Sequence, residues 1–209
     1  MVFRPKVCSA VMRHGQNRTA DLLRNAFLAF FLMGAQTSPQ RPDQPVVLPT
    51  RDVDITYRIT RPQQPALTER RRWLASERLQ RVDVNGGTTI FDRNRGEFTL
   101  LNPSTHTYRK FEGTPRMPRA PGKDVALNRG SDGVIAGLHC TDWSWIDQGD
   151  DETHTACLTA DGVMLRLVIG GTTIMQARSV TYAKQPPEIF QVPSGYLPGL
   201  APDGGFSPD

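Results

Sequence analysis

The chain has 209 residues, of which 38% are hydrophobic and 22% charged, with 18 glycines and 17 prolines. This composition supports a folded core and many turns, so it excludes full-length disorder and argues against a helical bundle or a polytopic membrane protein. The net charge is +4, and residues 1–35 account for all of it, with five basic residues and one acidic residue. The 20 basic and 20 acidic residues that follow balance, which disfavours a nucleic-acid partner.

Residues 1–35 have the layout of a secretory signal peptide. A basic segment that ends at Arg24 precedes an uncharged apolar run, Ala26–Ala35, and polar residues follow. This run is shorter than the roughly twenty residues that a transmembrane helix needs. We therefore expect a periplasmic protein cleaved after Ala35, with a buried N-terminal helix as the alternative. No cysteine follows the run closely, so we expect a soluble mature chain without a lipid anchor or a membrane span.

The next segments predict a β domain over residues 51–197. Residues 36–50 are rich in Gln and Pro, which predicts a flexible or extended lead-in. At 51–60 apolar residues alternate with polar ones, which is typical of a strand with one buried face. The same reasoning predicts further strands at 69–76, 78–85, 88–92, 97–101, 106–112, 134–146, 152–160, 163–169 and 172–183.

Two segments of the chain lack this alternation. Residues 113–133 predict a long loop, either a mobile lid or a disordered insertion, and residues 198–209 predict a disordered tail. The links between the other strands are short, and short links join antiparallel neighbours. About ten twisted strands in such a meander tend to curl. The predicted fold is therefore mostly β, an antiparallel meander curved into an incomplete β-barrel.

Two cysteines, Cys140 and Cys157, remain beyond the leader, and an even pair in an exported protein predicts a disulfide. If they oppose each other directly, the hairpin centre falls in the polar turn between Gln148 and Gly149. This register places Trp143 opposite His154. When the same register is continued through the Asp161-Gly162 turn, the apolar residues fall on one face of the sheet and the cystine falls on the other face. The apolar face comprises Trp143, Trp145, Ala156, Leu158, Val163, Leu165, Leu167 and Ile169.

Several segments resemble exported bacterial proteins of an uncharacterised family in the LolA/LolB-like lipoprotein-carrier superfamily. These segments are Val134–Cys140, Cys157–Arg166, Ala177–Tyr182, the Phe-x-x-Pro-x-Gly-Tyr ending at 190–196, and the run from Asp92 through Leu-Asn-Pro to Tyr108. The resemblance covers about residues 50–197. It implies an incomplete antiparallel barrel with an apolar hollow, covered by loops or a helix, and it implies no catalytic set.

This resemblance leads to the main functional hypothesis, a non-catalytic periplasmic protein that binds an apolar or amphipathic ligand. The expected partner is a lipid or a lipoprotein. The concave face would present Trp143, Trp145, Leu158, Leu165 and Leu167, and the rim would present Trp73, Met117 and Arg71. The alternative is an envelope structural or interaction protein with a solid core, which contacts a protein partner and has no small-molecule ligand.

Other chemistry finds little support in the sequence. His139, Cys140, His154 and Cys157 do not form a zinc site in this register, because His139 and Cys140 lie on opposite faces of their strand. Hydrolase and phosphate-binding motifs are absent, so we expect no metal, no cofactor and no enzymatic activity. The cluster Arg70, Arg71, Arg72, Arg78 and Arg81 is interpreted either as a solvated strand face or as a patch for anionic lipid headgroups or a periplasmic polymer.

Overall fold

The chain forms one large open sheet. The computed structural model describes residues 44–113, 125–146 and 151–199, and these contain twelve strands and two short 3₁₀ helices, Ala75–Glu77 and Pro187–Phe190. The strands are β1 (Val53–Arg61), β2 (Gln64–Leu74), β3 (Leu79–Val84), β4 (Gly87–Asp92), β5 (Glu97–Asn102), β6 (Thr107–Glu112), β7 (Asn128–Ile135), β8 (Leu138–Ile146), β9 (Thr153–Leu158), β10 (Met164–Ile169), β11 (Thr172–Thr181) and β12 (Leu197–Pro198). The sheet is not closed into a barrel, so the predicted incomplete barrel is confirmed.

The order of the strands across the sheet is β12-β6-β5-β4-β3-β2-β1-β11-β10-β9-β8-β7. The pair of β12 and β6 is parallel, and the other neighbours are antiparallel. Most neighbours follow each other directly along the chain, as their short links require. Strand β1 is different, because it pairs with β2 on one side and with β11 on the other. It therefore joins an early half of the sheet to a late half.

The bounds of β7 and β8 differ from those predicted from the sequence. The predicted strand at 134–146 is two strands, β7 and β8, which reverse at Ala136 and Gly137 with φ of 50° and 78°. β7 begins at Asn128, so the predicted loop at 113–133 is wrong over its last six residues. The polar sequence of β7 lacks an alternating pattern, and alanine is not typical of a turn at positive φ. Residues 114–124 lie outside the described part of the chain.

The described portions of the two predicted terminal segments are also ordered against the sheet. Residues 44–50 of the lead-in lie on it, and Val47 and Leu48 pack against the buried cluster. β12 includes Pro198, so the predicted disordered tail at 198–209 is wrong at this residue. The proposed signal peptide at 1–35 and the last ten residues lie outside the described residues.

One face of the sheet carries the main buried cluster. Directly opposed residues on neighbouring strands share a face, and such pairs connect Ile59 to Met175, Met175 to Leu167, Leu167 to Ala156 and Ala156 to Trp143. We call this the core face. Its buried cluster includes Val53, Ile55, Tyr57, Ile59, Trp73, Trp143, Trp145, Ala156, Leu158, Val163, Leu165, Leu167, Met175 and Ala177.

The core face continues into the early half of the sheet through Trp73, Gln80 and Phe91. Phe91, Phe98 and Phe111 follow on successive strands, with ring centroids 6.1 Å and 4.9 Å apart. On the opposite face a smaller cluster contains Leu74, Ile90, Leu101 and Phe190. The chain after β11 therefore packs on the face that the lead-in does not cover.

The disulfide between Cys140 and Cys157 is confirmed, with Cα atoms 5.4 Å apart. The predicted register of its hairpin is wrong by two residues, because Cys157 pairs with Asp142 rather than with Cys140. The bridge therefore joins diagonal neighbours. It lies on the face of Asp142 and Arg166, whose guanidinium Nη2 donates to the Asp142 carboxylate at 2.9 Å, yet both cysteines are buried.

A register shift of two residues changes partners but not faces, since side chains alternate with a period of two. Trp143 therefore opposes Ala156 and Trp145 opposes His154, and both indoles stay on the core face. The predicted pair of Ala156 and Leu167 is confirmed. The turn of the hairpin, residues 147–150, lies outside the described residues.

The next hairpin also departs from its predicted register near its turn. Leu158 pairs with Met164 instead of Leu165, because a bulge shifts the register between Met164 and Arg166. An extra residue in one strand locally disrupts the ladder of hydrogen bonds. The cluster of buried apolar side chains nevertheless contains both Leu158 and Leu165.

Candidate functional site

The five residues predicted for the concave face are all buried in the core cluster. Trp143 is 5% exposed, Trp145 and Leu158 are each 2% exposed, and Leu165 and Leu167 are inaccessible to solvent. Side chains from β1 and β11 pack against them. The centre of the core face is therefore filled by the protein's own side chains.

An apolar cavity of about 390 Å³ lies at the end of the core face beside β7, β8 and β9. Trp143 and Leu158 are the two predicted ligand-binding residues that line it. The lead-in supplies another part of the wall, through Pro45 and Val46. The remaining lining residues are Arg129, Asp132, His139, Cys140, Thr141, Thr159 and Ala160. The cavity is thus formed jointly by the sheet and by a segment that precedes it in the chain.

The lead-in is anchored at the turn between β9 and β10. The backbone N–H of Thr50 donates to the carbonyl oxygen of Asp161 at 2.9 Å, and Arg51 Nη2 donates to the Asp161 carboxylate at 2.9 Å. Gly162 has φ of +89°, and a Cβ at this position would lie 2.2 Å from the Leu48 carbonyl oxygen. Glycine is therefore required here, both for its backbone conformation and for the close approach of the lead-in.

Asp161 is the electrostatic centre of this anchor. Burial alone would raise the pKa of Asp161, but the side-chain hydrogen bonds donated by Thr159, Arg51 and Tyr182 outweigh that effect and lower it. The Arg51 guanidinium also lies 4.0 Å from the centroid of the Tyr182 ring. The carboxylate therefore stays charged where the lead-in meets the sheet.

A second, smaller cavity of about 80 Å³ lies between the lead-in and the early half of the core face. Two residues predicted for the rim, Arg71 and Trp73, line it together with Arg93. We call this space the arginine cavity. Its other lining residues are Val47, Leu48, Pro49, Ile55, Tyr57, Arg72, Gln80, Gly162 and Met164.

The polar groups of the arginine cavity are mostly donors. The guanidinium of Arg93 donates to Gln80 Oε1 at 2.7 Å, and its centre lies 5.6 Å from the Trp73 ring centroid. The buried indole Nε1 of Trp73 has no acceptor among the described residues. Arg71 forms an ion pair with the buried Glu69 and lies 5.1 Å from the Tyr57 ring centroid.

The predicted arginine cluster is divided by the sheet. Arg71 belongs to the core face, whereas Arg72 and Arg81 lie on the opposite face and both pair with Asp83. Burial alone would raise the pKa of Asp83, but hydrogen bonds from Arg81, Thr88 and Arg72 outweigh it and lower it. Arg70 pairs with Asp54. These three arginines thus share two carboxylates, those of Asp83 and Asp54, on the face of the sheet opposite Arg71.

Arg93 was not among the predicted site residues. It follows β4 in a polar turn, where its sequence context suggests only a solvated loop. No local sequence pattern predicts its place on the core face, because the rings that it contacts, Trp73 and Phe91, belong to different strands. Met117, the remaining predicted rim residue, lies outside the described residues.

A cavity of about 670 Å³ with a mixed polar and apolar lining lies on the opposite face, between the early strands and the segment that contains the second 3₁₀ helix. Ile90 and Phe190 contribute apolar surface, and Glu77, Asp92 and Lys110 contribute charges. No ion pair joins Glu77 or Lys110 to another described residue. None of the predicted site residues lines this cavity.

Metal-binding groups and membrane-spanning helices are both absent from the described part of the chain. Within residues 44–113, 125–146 and 151–199, no three His, Cys, Asp or Glu side chains form a group that could hold a metal ion. The helices in these same ranges include none with the length and apolarity needed to traverse a bilayer.

No protein-family model matches the sequence, and no curated protein matches it. Similar solved structures exist at low identity. An uncharacterised conserved protein from Thermus thermophilus is 14% identical, with a TM-score of 0.52, over 72% of this chain and 90% of that chain. This likeness concerns the fold.

Two further structures are similar at lower scores. MucB is 11% identical, with a TM-score of 0.48, over 69% of this chain and 58% of MucB. The LolA superfamily protein NE2245 from Nitrosomonas europaea is 10% identical, with a TM-score of 0.36, over 70% of this chain and 92% of that chain.

Proposed function

We propose that this protein is a non-catalytic periplasmic binder of an apolar or amphipathic molecule, such as a lipid or the lipid group of a lipoprotein. The observation that carries the proposal is the apolar cavity beside Trp143 and Leu158, which remains open next to the filled centre of the core face. Its volume of about 390 Å³ lies within the range typical of small-molecule sites.

The lining of this cavity suits a hydrocarbon chain. Trp143, Leu158, Pro45 and Val46 present apolar surface, and Arg129 and Asp132 supply charge at one side. Each methylene transferred from water to such surroundings contributes about 0.8 kcal/mol. About ten buried methylenes would therefore gain about 8 kcal/mol, which corresponds to a micromolar Kd before the cost of association is subtracted.

The proposed compartment rests on two features. The disulfide between Cys140 and Cys157 is typical of an oxidising compartment. The basic segment followed by the apolar run Ala26–Ala35 has the pattern of an export signal.

A second candidate function is an envelope interaction protein without a small-molecule ligand. Trp145, Leu165 and Leu167 favour it, since they fill the centre of the core face instead of lining a hollow. β7 supports it too, because it is the last strand of the sheet and its Val134 side chain is 60% exposed. An exposed edge strand can pair with a strand of a partner.

The test is native mass spectrometry and calorimetric titration of the periplasmically purified chain with laurate. Val46→Trp fills the apolar cavity from the lead-in side, and Val134→Trp adds the same side chain at an exposed position that does not line the cavity. We expect laurate to bind the wild type and the Val134 variant, and to bind the Val46 variant at least about 10-fold more weakly, which corresponds to about 1.4 kcal/mol. Equal affinities for both variants would remove laurate from this cavity, and a wild type that ignores laurate would favour the interaction protein.

A further inference from the structure

The arginine cavity presents more hydrogen-bond donors than acceptors. The guanidinium groups of Arg71 and Arg93 and the indole of Trp73 all line this space of about 80 Å³. Trp73 is 4% exposed, and its buried Nε1 has no partner among the described residues. A buried donor without an acceptor costs free energy, so such a donor points to an acceptor that a bound molecule supplies.

The charge around this cavity also lacks a full complement of carboxylates. Glu69 neutralises Arg71, but Arg93 forms no ion pair with any described carboxylate. Burial, and then repulsion by Arg71 and Arg78, lower the pKa of Arg93. Arg93 and Arg78 line a neighbouring space of about 160 Å³ with Phe91 and Leu48. A negative charge placed here would relieve this repulsion.

The acidic residues nearest in sequence do not fill this role. Asp92 and Glu97 also line the space of about 160 Å³. These two residues are directly opposed on β4 and β5, and their side chains lie on the face opposite the core face. The Asp92 carboxylate accepts the backbone N–H groups of Asn94 and Arg95 at 2.9 and 3.0 Å. The hydroxyl of Tyr57 donates to the Met164 carbonyl at 2.7 Å, and burial raises its pKa, so this phenol brings no negative charge.

The aromatic neighbours hold the arginines in a geometry that suits an oxyanion. The Arg93 guanidinium lies 5.6 Å from the Trp73 centroid and 6.0 Å from the Phe91 centroid, at the distances of cation–π contacts. A guanidinium held against rings presents its N–H groups at the edge of its plane, where a carboxylate or a phosphate accepts two of them. Arg93 as a whole residue is exposed to solvent, so an incoming group can reach it.

We propose that Arg93, Arg71 and Trp73 form an oxyanion site that holds the carboxylate or phosphate headgroup of an anionic amphiphile. This proposal rests on the proposed function and specifies its ligand class. The lead-in connects the two sites, since Val46 lines the apolar cavity and its neighbour Val47 lines the arginine cavity. Both cavities therefore border the same segment of the lead-in.

The experiment compares two ligands of equal chain length, laurate and dodecanol, at about pH 8, where the carboxylate is ionised. Arg93→Gln removes the proposed headgroup contact. Arg95→Gln is the matched control, because Arg95 belongs to the same turn, is 71% exposed and does not line the arginine cavity. Inorganic phosphate is titrated separately, and the indole N–H resonance of Trp73, assigned with Trp73→Phe, reports on the site.

We expect the wild type to bind laurate about 10- to 100-fold more tightly than dodecanol, the ratio that one charge-assisted hydrogen bond provides. Arg93→Gln should bring this ratio close to one, Arg95→Gln should retain it, and laurate should shift the Trp73 resonance. Equal affinities in the wild type, or a ratio that Arg93→Gln leaves intact, would overturn the oxyanion site while the proposed function stands. Tight binding of phosphate with a shift of the Trp73 resonance, in a protein that binds laurate no better than dodecanol, would overturn the amphiphile as the ligand. The ligand of the site would then be a free anion. A wild type that binds neither chain would overturn the proposed function as well.

Discussion

The two halves of the core face differ in what covers them. In the late half, Leu167, Ala156 and Trp143 are opposed across three strands and buried completely or almost so. In the early half, the same face carries Arg71, Gln80 and the phenylalanine series, and Leu100 is 39% exposed. Alternation produces strands in both halves, but the density of the packing depends on the other segments that lie on the sheet. The centre of the late half is suited to stability, whereas the cavities lie at its far end and in the early half.

The largest expected effect comes from removing packing in the late half. Leu167→Ala should destabilise the fold by about 2–5 kcal/mol, because the side chain is inaccessible to solvent and a cavity would remain. Leu100→Ala, on the same face in the early half, should cost less than about 1 kcal/mol. Chemical denaturation of both variants measures the difference, and similar losses would show that the two halves are packed alike.

The disulfide is the next test, because it links β8 to β9 within the late half. Cys140→Ser should lower stability by about 3 kcal/mol through greater freedom of the unfolded chain. Reductant should lower the free energy of unfolding of the wild type by a similar amount, which a lower melting temperature would show. It should have no effect on a variant that lacks both cysteines, and a melting temperature unchanged by reductant in the wild type would show that the bridge contributes nothing.

A third prediction concerns the segment that covers the boundary between the halves. Gly162→Ala should destabilise the protein by at least about 1 kcal/mol more than Gly171→Ala. Both glycines have positive φ, but only at Gly162 would the added Cβ meet the Leu48 carbonyl, at 2.2 Å, whereas nothing lies within 4 Å at Gly171. Thermal unfolding and amide exchange at Thr50 measure the loss, and equal effects would place the lead-in away from this turn.

The smallest effect is the pH dependence of the same anchor. The pKa of Asp161 is lowered in the folded chain, so its contribution is complete above the unfolded value of about 4 and is lost as the pH falls through the native value. Because Arg51 is 61% exposed, we expect less than about 1 kcal/mol. Asp161→Asn should remove this acid dependence, which thermal unfolding across the acid range would detect, and a variant with an unchanged pH profile would contradict the anchor.

The sequence predicted the fold class and most strands because alternation is a local property. Val53, Ile55, Tyr57 and Ile59 alternate in the sequence and are buried in the structure. It failed at β7, whose residues are polar because the strand lies at the exposed edge of the sheet. The register predicted for the hairpin of β8 and β9 is wrong because it places the two cysteines directly opposite each other. A disulfide can also join diagonal neighbours, as it does here.

The candidate sites were predicted less completely for a related reason. Trp143 and Leu158 were expected on one face, and they share the apolar cavity. The position of that cavity depends on Pro45 and Val46, which come from a segment without any periodic pattern. The position of Arg93 depends on its contact with the ring of Trp73, which lies on an earlier strand. Contacts of this kind leave no trace in local spacing.

The lead-in has a consequence for the rate at which a molecule would exchange. Pro45 and Val46 form a wall of the apolar cavity but belong to no strand, while Thr50 and Arg51, a few residues later, are fastened to Asp161. Entry and departure would thus depend on how often this short wall detaches, in the way that loop opening limits release in many proteins. Weakening its fastening would shorten the residence time of a bound molecule more than it would alter the sheet.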